Sequence, residues 1–415
     1  MALHLSLPMT ALAILLAAAP NARAGQLGDD EKPWGELSHQ EQGESNSLLD
    51  FFKERTKFGY GFDEEYWDNF FLEDNNKQNE FKSTLEAEIF FADPRGSVLY
   101  GTDWEVNAFR YHRSDANAVD HDVRAFFDYD PGGRTQWRTD YQLNTNNVLV
   151  YGPRELDLLR ISKDFQRFVS HEGLTRLRYA LNSTNALVSR LEYYVIDDQT
   201  LNDASGDRKE LRAILDLDHD LKRGWTVFTG YGFKDLQIPG NKEQNTDIHS
   251  ARLGTRYDAT ELAKLDLTLT FNRSRFKDGS LGSDFGINGL WKYQAGPRTL
   301  LTLGFIDEHR VSYQAGRRRF RTIRPTAELR YDLTPLIKLK TELRYEKQIS
   351  QASDTIGGGG QEVTASYYDI GAGLEWQLRE STQVTMDYRF SRSKTGDQTV
   401  HYLSCGFESE FGGSP

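Results

Sequence analysis

Three short motifs hold residue types that could do chemistry. In His112-Arg113-Ser114 an imidazole two residues from a hydroxyl could deprotonate it, the first step of an acyl transfer. Asp120-His121-Asp122 and Asp218-His219-Asp220 put acids beside a base, the residue types of an acid-assisted hydrolysis. Asp216, Asp218 and Asp220 recur at every second position. On an extended chain they share one face and could hold a divalent cation with its waters. Each motif also has an ordinary reading. The His112 stretch runs on into Asp115 as a solvated loop would, and an aspartate run on a strand is commonly matched by basic residues on neighbouring strands. No nucleotide-binding loop or zinc-ligand spacing is present, and Cys405 is the only cysteine. The sequence therefore assigns no catalytic residue, no metal ligand set and no cofactor, and the chain reads as a non-enzyme.

A larger set of charged residues is defined by the chain around them. Across residues 337–347, Ile337, Leu339, Thr341, Leu343 and Tyr345 alternate with Lys338, Lys340, Glu342, Arg344 and Glu346. Leu265, Leu267 and Leu269 alternate with Asp266, Thr268 and Thr270, and Leu211, Leu215 and Leu217 with Arg212, Asp216 and Asp218. Alternation at every second residue marks a strand with one greasy and one wet face. It begins near Phe81 and continues to Phe411, about ten residues at a time, as in a transmembrane β-barrel.

Short turns near residues 181, 220, 258, 295 and 333 recur every 37 to 39 residues, the length of one strand pair with its loop. Tyr179, Tyr257, Tyr293, Tyr331 and Trp376 stand just before short turns, as an interfacial aromatic girdle requires. The alternate connections, at 199–208, 238–246, 276–283 and 351–362, are longer and polar. Short turns at one rim and long loops at the other predict periplasmic and external sides. The count is about 18 strands, with 16 the rival because residues 135–180 can be cut in more than one way. Open edges are not tolerated in lipid, so the sheet must close into an all-β, antiparallel barrel.

Parity then gives the wet face. It includes Arg176, Arg178, Arg212, Arg324, Glu328, Arg330, Lys338, Lys340, Glu342 and Arg344, the candidate lumenal and permeant-contacting residues. Two readings of this wall stand side by side. Guanidinium groups could engage anionic or hydroxyl-rich solutes, or the arginines and carboxylates could neutralise one another.

The ends divide the chain further. Residues 1–24 have an apolar run and the small-residue site Ala22-Arg23-Ala24, which predicts a secretory signal peptide. Residues 25–80 carry 15 acidic and 5 basic residues, which is -10 of the chain's net -12. This segment is predicted to lie outside the barrel as a periplasmic extension, a plug or a docking site for a periplasmic partner, with a short helix over 47–57. The barrel is predicted over 81–411, with a tail at 412–415. A mean hydropathy of -0.64 does not oppose membrane insertion, because a barrel spreads its apolar residues thinly.

The last strand, Ser404-Cys405-Gly406-Phe407-Glu408-Ser409-Glu410-Phe411, resembles the terminal signal read by barrel-assembly machinery, with Ser409 at a usually apolar position. His112-Arg113-Ser114 resembles the His-x-Ser of outer-membrane phospholipases, without that family's Gly and Asn context. Hairpins such as 329–339 and 374–388 resemble those of outer-membrane β-barrel porin families linked to exopolysaccharide or capsule export. The resemblance implies an outer-membrane, porin-like channel, surrounded by outer-membrane lipid and without nucleic-acid partners, and hints at polysaccharide as cargo. A barrel enzyme acting on lipid or peptide and a surface-binding structural barrel are the competing classes.

Overall fold

A computed structural model describes residues 55–68, 79–148, 166–198, 207–239, 242, 245–260, 262–311, 319–350, 363–379, 381–393 and 398–412. They form eighteen strands: β1 Thr56–Trp67, β2 Glu80–Arg95, β3 Val98–Tyr111, β4 Ala116–Tyr129, β5 Thr135–Val148, β6 Gln166–Ala180, β7 Asn185–Asp198, β8 Arg208–Lys222 and β9 Trp225–Gln237. The second half comprises β10 Thr246–Thr260, β11 Ala263–Phe276, β12 Leu281–Gly296, β13 Thr299–Val311, β14 Arg319–Thr334, β15 Ile337–Ser350, β16 Val363–Arg379, β17 Thr382–Ser393 and β18 Gln398–Gly412. Each strand pairs antiparallel with the next, and β1 pairs with both β2 and β18, so the sheet closes on itself.

Alternation is what makes these segments strands. Both faces of each are used, the outer one for lipid and the inner one for water. Leu253, Phe271, Leu343 and Met386 are more than half exposed on the outside, which would be costly against water and is expected against acyl chains. Tyr179, Tyr293, Tyr331 and Trp376 are exposed at the short-turn rim, and Tyr257 meets Trp225 edge-on at 6.2 Å, so the girdle stands where it is predicted. The 135–180 ambiguity resolves as two strands, β5 and β6.

The structure corrects the predicted barrel start. Only seventeen of the strands lie beyond residue 79, and the eighteenth, β1, comes from the segment assigned outside the barrel. Phe58, Tyr60 and Phe62 do alternate, but their inward neighbours Gly59 and Gly61 carry no charge, and Glu64 interrupts the outer face. Cross-strand pairing overrides the weak pattern. Thr56 and Lys57 are strand residues, so the helix predicted over 47–57 cannot reach its stated end; its residues 47–54, the leader, and residues 69–78 and 413–415 lie outside the described residues.

Packed apolar groups occur inside the barrel near its rims. Trp67, Phe109, Tyr111 and Val400 cluster at the loop rim, and Phe90, Ala92 and Phe126 at the short-turn side. Gly101 and Gly254 face Phe126 and Phe228 as direct cross-strand partners, and each aromatic ring occupies the space that a Cβ would take.

Candidate functional site

The inward wall has two halves that differ in how their charges are settled. On β14 and β15, Arg324 Nε and Arg344 Nη2 both approach Glu346 Oε2 at 2.7 Å. Arg330 donates to Glu328, and Lys340 lies 4.0 Å from the same carboxylate. Glu342 stands opposite Glu328 in the β14–β15 register, while Lys338 lies between Asp332 and Glu375. On the other side of the barrel, Arg212 bridges to Glu192 at 3.3 Å. Arg176 stands between Arg138 and Arg190 in register, and Arg178 between Gln136 and Val188. The sequence-selected residues thus come together in strand-to-strand ladders, and the basic members on β14 and β15 share their carboxylates.

The same holds for the aspartate run. Arg252 meets Asp216 at 3.2 Å, Arg256 meets Asp218 at 3.0 Å, and Thr226 donates to Asp220. Basic residues two strands away therefore match Asp216 and Asp218, and a hydroxyl serves Asp220. Among the described residues no three His, Cys, Asp or Glu side chains converge closely enough to hold a metal ion.

The wall of β1 to β4 is different. Glu88, Glu105 and Asp122 are direct register partners on three adjacent strands, so three carboxylates face the bore in one row. Asp63, Glu65, Glu86 and Asp103 surround that row on the same face. Lys82 meets Glu65 at 3.0 Å, and Arg124 is drawn away to Asp140 at 2.6 Å. Asn107 donates to Glu105 and Gln142 to Asp122, while Arg124, two residues along β4 from Asp122, stands opposite Asp103. Like charges directly opposite one another destabilise a sheet; Glu88 is buried, so water and mobile cations screen the row through the half-buried Glu105 and Asp122.

Sequence reasoning missed this row because parity gives a face but no register. Glu88, Glu105 and Asp122 recur at intervals of 17 residues, but so do Glu86, Asp103 and Asp120, which are not register partners: Glu86 stands opposite Asn107, and Asp103 opposite Phe90 and Arg124. The spacing alone therefore does not give the row.

The candidate catalytic motifs come apart. Ser114 Oγ and its backbone N–H bind Glu80, whereas His112 Nε2 lies 2.6 Å from Ser83 Oγ, so the His112–Ser114 couple does not form. Adjacent strand residues point to opposite faces. His121 stacks on Trp104 at 6.3 Å on the outside while Asp120 and Asp122 face the bore, and His219 turns outward to Asn185 Oδ1 at 2.9 Å.

No protein-family model matches this chain, and no curated protein matches it. Among solved structures it is similar to OccK5 (OpdH) of Pseudomonas aeruginosa, at 13% identity and TM-score 0.48 over 87% of this chain and 99% of that one. It is similar to the outer membrane protein OpdK of the same organism, at 13% identity and TM-score 0.47 over 87% and 100%. A siderophore receptor, the ferric enterobactin receptor PfeA of P. aeruginosa, is 8% identical with TM-score 0.45 over 85% and 80%. At such identities the likeness is one of barrel shape alone. The class of this chain rests on its own closed sheet and greasy exterior: it is an eighteen-stranded antiparallel β-barrel of the outer membrane.

Proposed function

We propose that the barrel is a porin-like diffusion channel that favours cations. The observation that carries the proposal is the in-register row Glu88, Glu105 and Asp122, set against arginines on β14 and β15 that are bound to their own carboxylates. A fixed row of carboxylates raises the local concentration of cations and repels anions, and the effect weakens as salt screens it. The basic wall, by contrast, has little net charge left to attract an anion.

The finer reading, an export conduit for an exopolysaccharide, has the hairpin resemblance behind it. Sugars stack on open aromatic faces. At the loop rim Trp67 and Tyr111 are 8% and 5% exposed and stack on each other, so their rings are largely spent on internal packing. We therefore favour small cationic solutes as cargo.

Reversal potentials in planar bilayers under a salt gradient test the reading. The wild-type channel is expected to be cation-selective, Glu88→Gln/Glu105→Gln/Asp122→Asn to lose most of that preference, and Arg324→Gln/Arg330→Gln/Lys340→Gln/Arg344→Gln to change it less. Anion selectivity in the wild type, or an unchanged potential in the carboxylate variant, would overturn it.

A further inference from the structure

Outside the barrel, at the loop rim of β10 and β11, two arginines have no side-chain partner among the described residues. Arg273 and Arg275 share the outward parity of Leu267, Leu269 and Phe271, both are exposed, and neither makes a hydrogen bond or ion pair among the described residues. The contrast with the lumen is sharp, since Arg124, Arg252, Arg256, Arg324, Arg330 and Arg344 each hold a carboxylate there.

His249 stands directly opposite Arg273 on the same outer face. The Tyr231 hydroxyl meets its Nδ1, which fixes the ring and leaves Nε2 as the remaining polar atom. Asp247 stands opposite Arg275, and Asp235 lies beyond it on β9 without an ion pair to either arginine. One position toward the short-turn side, the outer face becomes apolar: Phe271 and Phe285 are direct partners, 55% and 52% exposed.

We propose that His249, Arg273 and Arg275 form a binding site for the phosphate head group of an outer-leaflet lipid. Guanidinium groups take phosphate oxygens through paired N–H donors, and an arginine pair beside a third polar donor matches one phosphate group. The neighbouring phenylalanines select the source of that phosphate. An anion carried on acyl chains presents its charge at this height while its tails cover Phe271 and Phe285, and a free phosphate ion gains nothing from those rings. The site lies on the barrel exterior and does not depend on what passes through the lumen.

Native mass spectrometry of the full chain in detergent, titrated with diphosphorylated lipid A, provides the test. Wild type is expected to retain lipid A adducts, and Arg273→Gln/Arg275→Gln to bind it about tenfold or more weakly. Lipid A stripped of its phosphates should bind wild type as weakly as intact lipid A binds the variant. Asp247→Asn removes the nearest negative charge and keeps both arginines, so it should tighten binding without threatening the fold. Equal binding by wild type and the arginine variant, equal binding of the phosphate-free lipid, or weaker binding by Asp247→Asn would each overturn the proposal. Displacement of the lipid by millimolar inorganic phosphate would also overturn it, in favour of a free-anion site.

Discussion

The Arg324 guanidinium lies 2.7 Å from the Glu346 carboxylate, whose side chain is only 4% exposed, so this carboxylate is closed in by its partners rather than open to the bore. Arg344 uses the same oxygen, and Gln348 donates to the other. Glu346→Ala should leave two guanidiniums without their acceptor at a cost of about 2 kcal/mol, and Glu346→Gln, which retains an acceptor, should cost less. The temperature at which heat-modified gel migration switches to the unfolded position checks both. Equal temperatures for wild type and Glu346→Ala would mean that water replaces the carboxylate without loss.

The two faces of one strand should respond differently to the same new charge. Leu267 faces lipid on β11, and Thr268 faces the bore. Leu267→Arg puts a cation against acyl chains at a cost of about 2–4 kcal/mol, whereas Thr268→Arg meets water. Folding yields into lipid vesicles, compared side by side, should favour Thr268→Arg.

Closure through β1 makes a stronger demand. A chain lacking residues 56–67 retains seventeen strands, and in an alternating antiparallel sheet β2 and β18 then run parallel and cannot pair as they stand. That deletion should abolish the heat-resistant folded species. A normal folded band would show that the barrel can close without its first strand.

Glycine tolerance should follow the local space. A Cβ at Gly254 would meet the Phe228 ring and the Leu267 backbone carbonyl, and that carbonyl cannot move without breaking register. At Gly289 the nearest atom is the flexible tip of Leu267, 3.5 Å away. Gly254→Ala should therefore cost about 1–3 kcal/mol in the same gel assay, and Gly289→Ala little.

Strand identity and side-chain direction were legible because one inequality governs both: a leucine prefers lipid and a lysine prefers water, at every second residue from Ile337 to Lys347. The first strand was hidden where that inequality is silent, at Gly59 and Gly61. The lumen site was half legible. Parity sent Arg324 and Arg344 inward, but whether they contact a solute or a carboxylate depends on register, and Glu346 reaches both only because β14 and β15 pair as they do. The acidic row escaped for the same reason: the same 17-residue spacing puts Glu88 opposite Glu105 but leaves Glu86 opposite Asn107, so only register reveals it. Arg273 and Arg275 follow the outward parity yet carry charge, and only the height of the neighbouring phenylalanines gives that exception a meaning.

The seam between β1 and β18 pairs Lys57 with Gly412, so the beginning and the end of the barrel lie side by side at one rim. Topologically the molecule is a ring of hairpins cut at an arbitrary point. A short linker joining those ends, with a new opening in the 199–206 connection between β7 and β8, would keep every strand neighbour while changing which strand is synthesised first. The order in which hairpins leave the ribosome would then be separable from the shape they finally adopt, and the dependence of insertion on a particular last strand could be read directly from such a rearranged chain.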